Sequence, residues 1–236
     1  MWTRAELKMR GKQNFKGNYW SAVAVALVMS IVTATYTTSS SSGARDSLNP
    51  YRNDGYFLEY SLFWMIIAVI GGILAIGMML LNVFVGNVLM VGGYRFFVLN
   101  QKENVTAGSL GYGFKSGHYG NIVLIMFLRD LFTFLWTLLL IVPGIIKHYE
   151  YLMVPYILSE NPGMKKEEAF LISRKMMEGQ KWNTFVLDLS FLGWRILEGL
   201  TFGILGIFYV EPYIQATIAE LYTANKTMAY QNGYIR

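Results

Sequence analysis

Cysteine is absent from all 236 residues, which excludes disulfides and thiolate metal sites and leaves the redox compartment unread. With histidine present only twice and cysteine absent, a zinc site is improbable and no metal is expected. There is no P-loop, no GxGxxG and no HExxH, and the order of Ser, His and Asp suggests no nucleophilic triad. The chain therefore reads as non-enzymatic and without a cofactor. Charge is scarce as well, at 15% against roughly a quarter in a typical soluble domain. The Lys and Arg residues behind the net charge of +5 sit between apolar segments instead of on one face, which argues against nucleic acid as a partner.

What is abundant is apolar sequence, 54% of the chain. A membrane crossing needs about 20 mostly apolar residues at ~1.5 Å each. Tyr19–Tyr36 and Asn121–Val142 meet this, and Pro143–Ser159, Phe185–Gly199 and Ile204–Leu221 are shorter candidates. No A-x-A-like cleavage site follows the basic segment Arg4, Lys8, Arg10, Lys12, Lys16, so the first apolar run reads as a retained span. Ser61–Asn100 would be about 60 Å of straight helix, enough for one crossing or two. Charge bias arbitrates. The N-terminal cations, and Lys165, Lys166, Arg174, Lys175 and Lys181, read as cytoplasmic, and Gln101–Gly120 weakly so. Thr37–Tyr60, serine-rich and then studded with Tyr51, Tyr56, Phe57 and Tyr60, reads as an outer loop with interfacial aromatics. The expectation is an all-α, polytopic transmembrane bundle of about six spans, with both termini inside.

An internal repeat supports this count. Phe15-Lys-Gly-Asn-Tyr-Trp20, Phe114-Lys-Ser-Gly-His-Tyr119 and Met177-Glu-Gly-Gln-Lys-Trp182 each open a span, with a turn glycine and an aromatic. Tyr94, Tyr156 and Tyr213 close similar exits, and Asp130…Trp136 repeats as Asp188…Trp194. The expected unit is an amphipathic helix followed by a hairpin, used three times within a single membrane domain, over residues 1–100, 101–160 and 161–236. Thr3-x-x-Glu6, with Trp2 and Leu7 placed as a staple, predicts the first helix start. Ala169, Ile172, Ser173 and Met176 form one face of a lead-in helix of the kind that lies on the inner leaflet.

Leu139-Leu-Ile-Val-Pro-Gly-Ile-Ile-Lys-His-Tyr149, Val154-Pro-Tyr-Ile157, Ser173-Arg-Lys-Met-Met-Glu-Gly179 and Leu187-Asp-Leu-Ser-Phe-Leu-Gly-Trp194 carry a resemblance to the uncharacterised bacterial membrane family DUF975. Glu211-Pro-Tyr…Ala216-Thr…Glu220-Leu-Tyr222 extends it, so that it runs from Lys16 to about Tyr222. The resemblance implies a polytopic protein of the bacterial cytoplasmic membrane. A more distant likeness is to the membrane domain attached to some glycerophosphodiester phosphodiesterases. It brings no activity and no catalytic residues.

Ionisable residues at bilayer depth are costly and so mark candidate sites. Here they are Arg129, Asp130, Lys147, His148, Glu150, Asp188, Arg195, Glu198 and Glu211. Spacing pairs Arg195 with Glu198 and Lys147 with Glu150, and sets Asp188 on the face of Arg195. Asp130 and Asp188, as repeat equivalents, are placed to approach one axis. Two readings stand: a polar pathway between spans, or a buried network that fixes helix register, with Lys147, His148 and Glu150 near the outer interface. Gly199/Gly203 and Ala68/Gly72 are small-xxx-small steps for close helix packing. Pro143, Gly144, Pro155 and Pro212 are expected helix breaks or hinges. Ser109-Leu-Gly-Tyr-Gly113 looks like a potassium-filter strand, but polar residues precede it where a pore helix is required. Two functions follow: an accessory, scaffold or envelope-protection protein that binds lipid, a membrane protein or a membrane-active peptide, and alternatively a transporter or permeation pathway for a small solute or peptide. Oligomeric state has no signature.

Overall fold

The computed structural model describes residues 2–38 and 57–234, so the serine run and Tyr51 and Tyr56 lie outside the described residues. The described chain is helical, without strands. Helix α1 (Arg4–Gly17) starts where the capping box predicts, with the Thr3 hydroxyl accepting the Glu6 backbone N–H at 3.3 Å. It turns through 107° into α2 (Tyr19–Thr38). Then come α3 (Phe57–Leu81) and α4 (Asn87–Leu99), joined without interruption by a π-helical turn at Asn82–Gly86. Together they supply the 38-residue apolar helix Leu62–Leu99.

Three features make the π turn a packing device. Gly86 lies against Val32, Asn82 donates to the Val32 carbonyl at 2.9 Å, and a Cβ at Gly93 would strike the Met29 side chain. Helix α2 thus seats closely on α4, where a larger residue would hold it away. Beyond α4, Ala107–Gly111 is a 3-10 turn leading into α5 (Tyr112–Lys115). This is the filter-like segment, and its helical backbone presents no extended row of carbonyls.

Helix α6 (Tyr119–Leu139) runs out, and α7 (Ile141–Glu150) turns straight back along it. The reversal rests on Leu140, which is extended (φ −156°, ψ 136°), and on Gly144, whose missing side chain admits the backbone of Thr137. A turn at Tyr151–Met153 separates α7 from α8 (Val154–Glu160). Next are α9 (Lys166–Met176), α10 (Lys181–Leu189) and α11 (Leu192–Leu200). A second π turn, Gly206–Val210, leads into α12 (Glu211–Gln231).

Among the described residues two helices are long and apolar enough to cross a membrane, Leu62–Leu99 and Tyr119–Leu139, or three stretches if the bent pair α1–α2 counts as one. The other expected spans are assembled from shorter pieces. Ile141–Glu160 is broken at its midpoint, and Lys181–Leu200 breaks at Ser190–Phe191. The core lies where α1 packs on α12, and α4 on α2, α8 and α12. Phe15, Phe96, Phe97, Tyr156, Leu158 and Met177 are among its fully enclosed side chains.

Candidate functional site

The charged residues of the helices form small separate groups. On α6, Arg129 turns onto its neighbour Asp130 at 2.6 Å. On α7, the Tyr149 hydroxyl donates to Asp188 of α10 at 2.7 Å. On α11, Arg195 reaches Glu211 at the head of α12 at 3.3 Å. The two aspartates therefore each hold a partner of their own, and the cation expected beside Asp188 is replaced by a neutral phenol. Arg195 selects Glu211 in place of Glu198, whose carboxylate lies instead against Gly206. Tyr94 lies beside Arg129, and His148 within electrostatic range of Arg129, Asp130 and Asp188. So α4, α6, α7 and α10 do bring their polar side chains to one region, as interlocking pairs.

The densest group surrounds Glu150. Its side chain is only 6% exposed, yet Oε1 accepts from Lys147 at 2.9 Å and forms an ion pair with Arg174 Nε at 2.7 Å, and Oε2 accepts from Lys181 at 3.0 Å. The Ser173 hydroxyl donates to the Glu150 backbone carbonyl at 2.7 Å, tying α9 to the end of α7. Glu150 sits with Arg174 and Lys181, so the outer placement of Lys147 and Glu150 and the inner placement of Arg174 and Lys181 do not both hold. The physical reason is the length of α7: ten residues at ~1.5 Å return only about 15 Å before the Tyr151–Met153 turn. Glu150 thus stops midway, within reach of long side chains from α9 and α10. Tyr149, Ser173, Arg174 and Lys181 are the members of these groups that sequence reasoning missed. Lys181 had a signal, since it stands in the same entry motif as Tyr19.

The breaks fall at helix starts. Pro143 is the third residue of α7 and Pro155 the second of α8, where a missing N–H costs little, whereas Pro212 is the second residue of α12 directly after the π turn Gly206–Val210. The small-residue steps behave differently from expectation. Gly203 has φ +82° in the turn after α11, and no atom stands within 4 Å of where a Cβ of Gly72 or Gly199 would lie. Neither step brings two described helices together.

Helix entries are tied in a regular way. Helices α2, α6 and α10 start two residues after Gly17, Gly117 and Gly179. The first residue of each reaches a different segment: Tyr19 donates to the Phe208 carbonyl at 3.0 Å, Tyr119 to the Phe84 carbonyl at 2.9 Å, and Lys181 to Glu150. The two tyrosines thereby satisfy carbonyls within the two π turns. Asn18 and Asn121 anchor the connectors, to Val105 and to Pro162 and Met164. At the far side of α1, Lys8 donates to the Ser190 carbonyl at 3.0 Å over the Phe191 ring, and burial with Arg4 nearby lowers its affinity for a proton. A hollow of about 400 Å³ opens between Trp2, Thr3, Arg4 and Trp182, Asn183, Val186. One of about 100 Å³ lies by Lys175, Asn225 and Tyr234. Neither is lined by Asp130 or Asp188. Asn225, in a sequon-like triplet, is buried and accepts the Trp2 indole N–H at 3.0 Å.

Residues 138–228 match the family model described as protein of unknown function, DUF975. Over that stretch the chain is similar to DUF975 proteins. No curated protein and no solved structure matches it. The DUF975 segment runs from the tip of α6 through most of α12. It contains Lys147, Glu150, Asp188, Arg195, Glu198 and Glu211 with the three helix-start prolines, while Arg129 and Asp130 lie outside it.

Proposed function

We propose that the protein is a non-enzymatic, polytopic protein of the bacterial cytoplasmic membrane, with both termini inside, that serves as an accessory or scaffold by binding lipid or another membrane protein. The observation that carries this reading is α3. From Leu62 to Leu81 every residue is exposed, and beyond its own continuation the helix has α2 as its main neighbour among the described helices, met only slightly. Twenty apolar residues exposed all round need a nonaqueous neighbour.

The finer architecture belongs to the same proposal: six crossings, as three lead-in-plus-hairpin units. Ile141–Glu160 and Lys181–Leu200 are each about 20 residues, or ~30 Å, the length of one crossing in two pieces. The entry residues support a ring of units, because Tyr19 reaches the third unit, Tyr119 the first, and Lys181 the second. Trp20 and Trp182, 74% and 71% exposed at helix starts, suit an interfacial belt.

An accessory role is favoured over a permeation path because the deep charges engage one another and the described hollows lie elsewhere. Purification in mild detergent tests it: the protein is expected to retain lipid or a second membrane protein. A lone monomer stripped of both, together with a proteoliposome flux that Asp188→Asn abolishes, would transfer the function to transport. Cysteines at positions 45, 102 and 165 should label from outside, inside and inside.

A further inference from the structure

We propose that Lys147, Arg174 and Lys181 form a binding site for a phosphate group, with Glu150 as its organiser. Three cations converge on one carboxylate within 3.0 Å, which leaves an excess of two positive charges in a small volume. The acid nearest in sequence to α10, Glu178, is already taken by Lys175 at 3.0 Å, and Asp188 accepts from Tyr149. Cations held this close repel one another unless an anion joins them.

The arrangement is built for such a guest. Glu150 is enclosed and fixed by Ser173, whereas the side chains of Lys147, Arg174 and Lys181 keep 22%, 53% and 32% of their exposure. Each cation is thus anchored on its inner side and open on its outer side. Arg174 commits Nε to Glu150, and its two terminal nitrogens have no partner among the described residues. They form the fork that binds two oxygens of a phosphate. Lys147 is steadied over the Trp136 and Tyr151 rings, at 5.6 and 5.7 Å. Beside the cations, Trp182 and Leu171 are 71% and 54% exposed, an apolar flank on which acyl chains can lie. The phosphate can come from an anionic phospholipid or from free phosphate. The lipid source rests on the membrane reading above.

The full chain in nanodiscs distinguishes these. Native mass spectrometry would compare retention of phosphatidylglycerol by the wild type, by Arg174→Gln/Lys181→Gln, and by Lys165→Gln/Lys166→Gln, which removes as many cations outside the cluster. Both pairs are exposed enough to spare the fold, which helicity would check. Loss of the two cluster cations should weaken retention about thirty-fold, and loss of the outlying pair much less. Arg174→Lys/Lys181→Arg should restore most of it. If inorganic phosphate quenches tryptophan fluorescence in phosphatidylcholine discs, saturably and only with the cluster intact, free phosphate is the ligand and the lipid source is overturned. Equal retention in all variants, with no response to phosphate, overturns the site. Neither result touches the accessory role, which the detergent and flux experiments decide separately.

Discussion

The inner part of the molecule, where α1, α4, α8, α9 and α12 meet, and the outer part, formed by α3, the tip of α6–α7 and α11, are equally helical but are finished in opposite ways. Inside, several polar side chains are enclosed or half-enclosed and paired within the protein: Asn14 donates to Glu220, Asn18 to Asn100, and Glu160 takes both Lys226 and the Tyr222 hydroxyl. Outside, Phe134, Leu138, Ile141, Leu200 and Phe202 point away from the chain, Phe202 with 96% of its surface free. The inner helices need one another, and the outer ones need a solvent that is not water. The difference teaches that the two halves should answer to different perturbations, and the tests below are ordered by how strongly they should separate them.

The largest effect is expected from Phe15→Ala. Phe15 is 1% exposed and packs edge-on to Tyr209 and against Tyr19, at 5.6 and 5.2 Å between ring centres. Its removal should cost about 3–5 kcal/mol in reversible unfolding in lipid or detergent. Phe134→Ala, at a 62% exposed position, should cost less than about 0.5 kcal/mol. Equal losses would erase the distinction between the halves. Next comes Gly92→Ala. A Cβ there would collide with the backbone of Leu110, which has no rotamer to move, so about 1–3 kcal/mol should be lost through overpacking. Gly72→Ala on α3 meets open space and should be neutral or slightly favourable, up to ~1 kcal/mol by helix propensity. Asn18→Ala, smaller again, removes donors to Asn100 and Val105 at 2.7 Å each and should cost about 1–2 kcal/mol, seen as earlier exchange of the 100–106 connector.

The same contrast explains what could be read without coordinates. Helix starts were legible because their chemistry is local: the Thr3 cap acts on Glu6 three residues away, and a turn glycine precedes each of α2, α6 and α10. The long apolar helix was legible because 20 consecutive apolar residues leave a composition that no soluble core needs. The polar groups were legible as residues and not as pairs. Arg195 and Glu198 are neighbours on one helix turn, but the π turn at Gly206–Val210 rotates Glu211 towards Arg195. Nothing local marks a π turn. The Glu150 group was hidden for a related reason: it depends on α7 ending after ten residues, and the break expected at Pro155 does not mark where the turn before it begins. The small-residue steps misled because spacing reports which residues share a face, and not whether a second helix arrives there.

The smallest effect is the one that decides what the outer half is for. Leu74 on α3 is 67% exposed, and no described helix covers that face. Leu74→Ala removes area that faces solvent or lipid in the isolated chain, so stability should change by less than about 0.5 kcal/mol. Lipid gains nothing from a Leu that it would not gain from its own tails, and so retention of lipid should not change either. A protein seated on α3 is another matter, because a side chain buried in that contact contributes about 1 kcal/mol or more to binding when it is a principal contact. Co-purification measured side by side for the wild type, Leu74→Ala and Phe134→Ala therefore separates the two occupants. Loss of a partner from Leu74→Ala, with stability unchanged, marks α3 as a protein-binding face. Indifference at both positions leaves the outer half as lipid-facing surface, with recognition confined to the inner half.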